Sequence, residues 1–231
     1  MELERLTERI SYLAPQPERE YPLLAHVRGD RFSLAVDAGY SARHLALFYE
    51  GIDSAGLKRP DFTVLTHWHC DHSFALHAAA GVGIAYKRTN DKLKEHIVKS
   101  TTMPDYREYM MCDPFYGAEY PEGAPVTVKA AEIEFSGSLT LDLGGVTAQI
   151  FHIDSPHTFD AVCVLVPEEK VLFLGDAIYG DYQHNWVMNE PKLRAMIALV
   201  ESADCDWCVA GHAKPHSKQT MLRHLTRKLE K

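Results

Sequence analysis

Between two apolar runs, "FTVL" and "FALHAAA", the chain places three histidines and one aspartate in six positions, "HWHCDH", His67 to His72. Such a run makes a poor core, because buried imidazoles and carboxylates need partners. At the end of an extended segment residues i and i+2 project to one side, so His67 and His69 can share an ion. The chain then turns, and the consecutive Asp71 and His72 point elsewhere, as a second ion nearby would require. Neutral imidazole suits zinc, iron, copper and nickel, and a carboxylate extends the choice to manganese. The plain alternative is a histidine-rich surface turn.

The flanking sequence supplies a frame for this motif. "YPLLAHVRGDRFSLAVDAG" reads as two strands joined at Gly29-Asp30 and ending at Asp37. Ser41 caps a helix with Leu45, Phe48, Tyr49 and Ile52 on one face. "FTVL" is a strand, a helix is expected from His72, and "GVGIAYK" is a further strand. Residues 97–125 hold four prolines and many aromatics without a sustained period, which reads as an ordered insertion or lid. Strand patterns resume with "LTLDL", "VTAQIFHI", "AVCVLV" and "VLFLGD". Asn189 and Pro191 open a helix, "DWCVAG" is a strand, and Ser217 starts a last helix. Sheets in the middle with helices outside are implied, within one domain of 231 residues.

Potential ligands recur where strands stop: His157 in "SPHTFD", Asp176 at the end of "VLFLGD", and His212 after "VAG". The ordered set "VDAG", "HWHCDH", "SPHT", "LGD", "AGH" resembles the metallo-β-lactamase superfamily in its binuclear form, from about Phe32 to His212. The resemblance implies an α+β fold: a four-layer αβ/βα sandwich of two mixed, mainly antiparallel sheets flanked by helices. It implies His67, His69 and His157 at a first metal, Asp71, His72 and His212 at a second, and Asp176 as the bridging carboxylate. Asp37 would brace the histidine loop without binding metal, the supporting role such sites need. The chain departs from the family at Ser73-Phe74, where two glycines are common, and at Ser155-Pro156, where Gly often precedes the histidine. These differences alter the mouth of the site and leave the ligand types intact.

Two divalent ions about 3.5–4 Å apart can bridge a water and bring its pKa from near 15.7 toward 7. Zinc is expected first, with manganese or iron second. The implied reaction is hydrolysis of an ester, lactone, thioester, amide or phosphodiester, with Asp71 orienting the nucleophile. The alternative within the superfamily is redox chemistry, such as an iron-dependent persulfide dioxygenase. A silent metal-binding protein is a third class, against which seven intact ligand candidates argue.

Other residues carry weaker signals. Cys70 reads as a small packed residue, and Cys205 with Cys208 as a packed pair at a helix-to-strand junction. His152 reads as a hydrogen-bonded structural histidine, and histidines 26, 44, 77, 96 and 224 as ordinary. Tyr179, Tyr182, His184 and Trp186 follow Asp176 on a loop expected to line the site, and Lys214 could meet an anionic group or be a solvated lysine. Tyr106, Tyr109, Phe115 and Tyr116 with Met110 and Met111 would cover the site, form a homodimer contact, or pack on themselves. A formal charge of −8 argues against a nucleic-acid partner and leaves a small-molecule substrate. No apolar run is long enough to span a bilayer, and five irregularly spaced cysteines do not form a disulfide framework, so a cytoplasmic protein is expected.

Overall fold

The computed structural model describes residues 2–111, 113–122 and 124–230. A first sheet holds β1 (Glu4–Arg5), β2 (Ile10–Leu13), β3 (Leu24–Arg28), β4 (Ser33–Val36), β5 (Phe62–Val64), β6 (Val82–Tyr86) and β7 (Ile133–Phe135), side by side in chain order. A second holds β8 (Ser138–Asp142), β9 (Thr147–His152), β10 (Val162–Val166), β11 (Val171–Gly175), β12 (Trp207–Ala210) and β13 (His216–Ser217), again neighbouring in order. The helices are α1 (Ala42–Ser54), α2 (Cys70–Ser73), α3 (Lys87–Thr102), α4 (Tyr106–Met110), α5 (Tyr116–Glu119), α6 (Glu190–Ser202) and α7 (Lys218–Leu229).

Strands β1 to β4 pair antiparallel, whereas β4 to β7 run parallel. Parallel neighbours need a crossover. Helix α1 makes the one from β4 to β5, and the histidine-rich segment with α2 makes the one from β5 to β6. The motif thereby leaves the carboxyl end of β5 directly beside Asp37, which leaves the carboxyl end of β4. In the second sheet only β11 and β12 are parallel, with α6 between them.

Alternation along the strands sorts side chains into layers. Val27, Leu34, Val36, Val64 and Ile84 of the first sheet meet Ala148, Ile150, Val162, Val164 and Phe173 of the second. On the outer face of the first sheet, Leu24, Ala35 and Leu65 pack under Leu45, Phe48 and Ile52 of α1 and Leu93 of α3. On the outer face of the second, Leu172, Leu174 and Cys208 pack under α6 and α7 through Leu193, Met196, Val200, Met221 and Leu225. The result is the expected four-layer sandwich. Its helix starts are those the capping residues specify: Ser41 accepts from the His44 N–H, Asn189 from Lys192, and Ser217 from Thr220.

The segment from 87 to 125 differs from the sequence reading. Residues 87–102 form α3, so the first six residues assigned to an irregular insertion are helical. Its apolar stripe is thin because its buried face uses polar groups. Asn90 pairs with the backbone of Ala131 at 2.7 Å, and Thr89 donates to Asp160 at 2.8 Å. After α3 the chain makes the short α4 and α5, whose Tyr106, Met110, Tyr116 and Tyr120 cluster with Tyr21, Tyr40, Cys70 and Phe74. Tyr40 donates to Asp113 and Ser41 to Glu119, each at 2.5 Å, so this segment is docked on the loop that follows β4. Phe74, one of the departures from the family pattern, is a fully buried part of that anchor.

Candidate metal centre

Asp37 organises the floor of the site. The chain turns there with φ of +65°, a left-handed conformation that aspartate tolerates better than most residues. Its carboxylate accepts from the Thr66 N–H at 2.7 Å and the Thr66 hydroxyl at 2.9 Å, and lies 2.7 Å from Nδ1 of His72. That contact fixes the His72 ring with Nδ1–H donating and Nε2 free to face the site. Asp37→Ala is expected to lower metal affinity by roughly 10–100-fold, the usual cost of losing such a support, while the ligands themselves remain. A metal titration showing a loss as large as that of a His67 variant would place Asp37 among the ligands instead.

Asp160 performs a similar task from the second sheet. Fully buried, it accepts from the Trp68 N–H at 2.9 Å, Thr89 at 2.8 Å and Thr158 at 2.6 Å, tying the motif to the loop that carries His157. Ser73 and Ser155, at positions where the family often has glycine, also hold these loops. Ser73 donates to the carbonyls of Trp68 and His69, and Ser155 accepts from the N–H groups of His157 and Thr158.

The potential ligand atoms fall into three overlapping sets: His67, His69 and His157; Asp71, His72 and His212; and His67, His72 and Asp176. His157 Nε2 lies 3.1 Å from His69 Nδ1, while its own Nδ1 donates to the Gly180 carbonyl at 2.7 Å. His67 Nδ1 meets the Thr66 hydroxyl at 3.1 Å. His212 Nε2 lies 3.1 Å from Asp71 Oδ2 and 3.3 Å from Asp176 Oδ2. His72 Nε2 lies 3.2 Å from Asp71 and 3.5 Å from Asp176 Oδ1. Asp176 thus stands between the two histidine groups, reaching His157 on one side at 3.8 Å and His72 and His212 on the other.

Two glycines make room for this. A Cβ on Gly211 would lie 2.3 Å from Asp176 Oδ1 and 2.7 Å from His72 Cε1. A Cβ on Gly180 would lie 2.1 Å from the Trp186 carbonyl, inside the turn that aims the Gly180 carbonyl at His157.

Two buried polar atoms here, His67 Nε2 and Asp176 Oδ1, have no hydrogen-bond partner among the described residues. Such orphans are costly unless something outside the chain satisfies them. Burial holds the His67 imidazole well below its ordinary pKa and His69 down at about 3, so both rings are neutral with lone pairs available. Burial would also lower His212, but Asp176 and Asp71 outweigh it and hold the ring up near 10. Burial would raise Asp71 and Asp176, yet His72 and His212 keep both carboxylates well below the usual range. The carboxylates therefore demand positive charge at this spot, from protons or from metal ions that would displace them. The donor set fits divalent metal.

The family model of the metallo-beta-lactamase superfamily matches residues 27–212. The chain belongs to that superfamily. Among curated proteins it is 25% identical over 178 residues to the acyl-coenzyme A thioesterase MBLAC2 of Gallus gallus, covering 70% of this chain and 59% of that protein. The chain thus spans about three-fifths of the length of that relative. Among solved structures it resembles the DIM-1 metallo-beta-lactamase, with a TM-score of 0.67 at 21% identity over 98% of this chain and 96% of that one. A metallo-beta-lactamase from Pontibacter korlensis gives 0.65 at 16% identity over 97% of each chain. A double mutant of the sec-alkyl sulfatase PisA1 gives 0.69 at 14% identity over 97% of this chain and 40% of that one. These structures share the metallo-beta-lactamase fold with the chain.

As in a metallo-beta-lactamase fold generally, the ligand candidates lie at one edge of the sandwich, here under a cavity of about 290 Å³. His69, Asp71, His157, Asp176 and His212 line it, together with Trp68, Cys70, Tyr179, Tyr182 and Trp186. The docked segment contributes Tyr109, Met110 and Asp113 to this lining. Two residues expected to contact substrate stand outside the lining of this cavity, although His184 lines a neighbouring one with His69 and His157. His184 is exposed and pairs with Asp181 at 2.9 Å, and Lys214 pairs at the surface with Glu4 at 2.7 Å; neither lines this cavity.

Some lining residues carried no usable sequence signal. His96, read as ordinary, stacks on Trp68 at 5.2 Å and bonds Tyr106 at 2.9 Å. Glu20 reaches the cavity from the turn before β3, and only tertiary structure brings it there. Cys70 packs in the wall with Sγ 3.3 Å from Asp113, and Cys205 and, on β12, Cys208 are buried in the layer under α6 and α7 with sulfurs 3.9 Å apart. His152 stacks on Tyr86 at 4.3 Å and bonds the Phe159 carbonyl at 3.1 Å.

Proposed function

We propose that this chain is a metal-dependent hydrolase acting on a carbonyl centre, with a thioester or ester foremost. The observation that carries this reading is Asp176, placed between two three-residue sets of potential ligands. His67, His69 and His157 would hold one divalent ion, Asp71, His72 and His212 the other, and Asp176 would contact both, with zinc first and manganese or iron second. Bound there, two such ions supply a water acidified toward neutral pH and a positive charge for the oxygen of the scissile group.

The chain's own residues do the rest. Asp71, in the cavity lining, would accept a hydrogen bond from the attacking water and orient it. Asp37 and the Gly180 carbonyl fix two imidazoles in the tautomers that leave a lone pair facing the site. Trp68, Tyr182 and Trp186 exclude water and seat the apolar part of a substrate. The name of the MBLAC2 relative favours a thioester over the other carbonyl substrates.

Elemental analysis of protein purified without chelators, with turnover of a panel of thioesters, lactones and phosphodiesters, tests this. Two zinc or manganese ions per chain, and thioester turnover lost with a chelator and regained with metal, is the expected result. One iron per chain with oxygen uptake on a persulfide would overturn it in favour of a dioxygenase.

A further inference from the structure

The last helix carries positive charge that the rest of the molecule does not match. Elsewhere on the surface arginines meet carboxylates: Arg9 pairs with Asp30, Arg31 with Asp142, Arg59 with Asp53 and Arg194 with Glu190. On α7, Lys218 donates instead to the carbonyls of Glu201 and Ala203, and Arg223 to the Thr220 hydroxyl. Arg227 is exposed, with no carboxylate within ion-pair distance among the described residues. In a chain with a formal charge of −8, three such cations on one helix form a local positive field.

Helical spacing places Met221, His224, Arg227 and Lys228 on one face. That face borders a hollow of about 310 Å³, together with the loop after Asp176 and the turn after His212. Ile178 and Met221 give the hollow apolar surface, His216, His224, Arg227 and Lys228 give it N–H donors, and no carboxylate lines it. His216 and His224 sit edge to face at 4.9 Å. Burial, and then His224, hold the His216 imidazole below its ordinary pKa, with no acid to offset them.

The hollow adjoins the candidate metal centre. Tyr179 lines both, with its ring centroid 6.3 Å from that of His212 and 4.8 Å from Lys228 Nζ. Lys228 also donates to the Ile178 carbonyl at 2.6 Å, which ties α7 to the loop that carries Asp176. One aromatic ring therefore separates the basic hollow from the potential metal ligands.

We propose that this hollow binds a phosphate group carried by the leaving thiol of the substrate, with Arg227, His224 and His216 as its donors. The proposal names a substrate class for the hydrolase reading and rests on that reading for the reaction, although not for the binding. A guanidinium fork beside two imidazoles suits the several oxygens of a phosphate, and no carboxylate in the hollow opposes its charge. Because Trp68, Tyr182 and Trp186 seat the apolar acyl part, the polar thiol is left to reach past Tyr179.

Thioesters of one acyl group with pantetheine and with 4′-phosphopantetheine test the idea on the metal-loaded full chain, because they differ only in the phosphate. The ratio of kcat/KM for the phosphorylated over the unphosphorylated thioester is expected to exceed about tenfold, as charge-assisted hydrogen bonds imply. Arg227→Glu should bring that ratio down toward one, and Arg227→Lys should keep most of it. A ratio near one in the wild type, or a high ratio that Arg227→Glu leaves unchanged, would overturn the proposal. Binding is measured separately, by calorimetry with the S-methyl thioethers of the same two thiols, which cannot be hydrolysed. If no thioester is turned over, a gain in affinity from the phosphate that Arg227→Glu abolishes would uphold the proposal while the hydrolase reading fails. In that case, equal affinity for the two thioethers, or a gain indifferent to Arg227→Glu, would overturn it.

Discussion

Replacing His69 with alanine is expected to abolish turnover and to lower metal content in the same variant. His69 lies in the first of the three ligand sets, with Nδ1 3.1 Å from Nε2 of His157 and its ring packed edge-on against His67 at 4.6 Å. Burial keeps it neutral, so its lone pair is available without competition from a proton. Alanine removes that donor and leaves His67 and His157 as an incomplete set. The loss should therefore exceed the roughly 10–100-fold that follows from removing a supporting hydrogen bond. Elemental analysis and kcat/KM on one preparation, with circular dichroism to verify the fold, make the check. Full turnover after the metal has gone would sink the metal-dependent mechanism.

Asp176→Asn should affect both halves of the centre at once. Each oxygen of Asp176 approaches a different neighbour: Oδ1 reaches His72 at 3.5 Å, and Oδ2 reaches His212 at 3.3 Å and His157 at 3.8 Å. Asn keeps the shape and removes the charge, and its amide would point N–H groups where a lone pair is required. Turnover is expected to fall by more than about 100-fold, beyond what a supporting residue contributes. A ligand that binds only the folded state raises the melting temperature, so the metal-induced rise in Tm should shrink in this variant. Unchanged stoichiometry, Tm response and rate would show that Asp176 does not bridge.

Much of the fold was legible along the chain because its signals are local. Ser41, Asn189 and Ser217 cap the helices they announce, since a capping side chain bonds an N–H only two or three residues on. The Gly29-Asp30 turn joins β3 to β4 because alternation on either side leaves those strands one register. Helix α3 was missed for the opposite reason: its inner face is held by polar groups, Thr89 and Asn90 with partners far along the chain and His96 with Tyr106 of the next helix. Periodicity of apolar residues cannot report a face of that kind.

The candidate site divides along the same line. Sequence by itself determined the ligand types and the spacing of "HWHCDH", because two-residue periodicity at a strand end fixes which side chains can converge. It also determined that Asp37, Asp176 and His212 follow the ends of strands, whereas His157 lies within the loop between β9 and β10. Tertiary structure alone decided which side chains surround them: Glu20 from a turn before β3, and Asp113 and Tyr109 from the docked segment, while Lys214 pairs with Glu4 at the surface. Those placements depend on contacts between residues tens to hundreds of positions apart. Their energies come from burial and charge in the assembled layers, which no local pattern encodes.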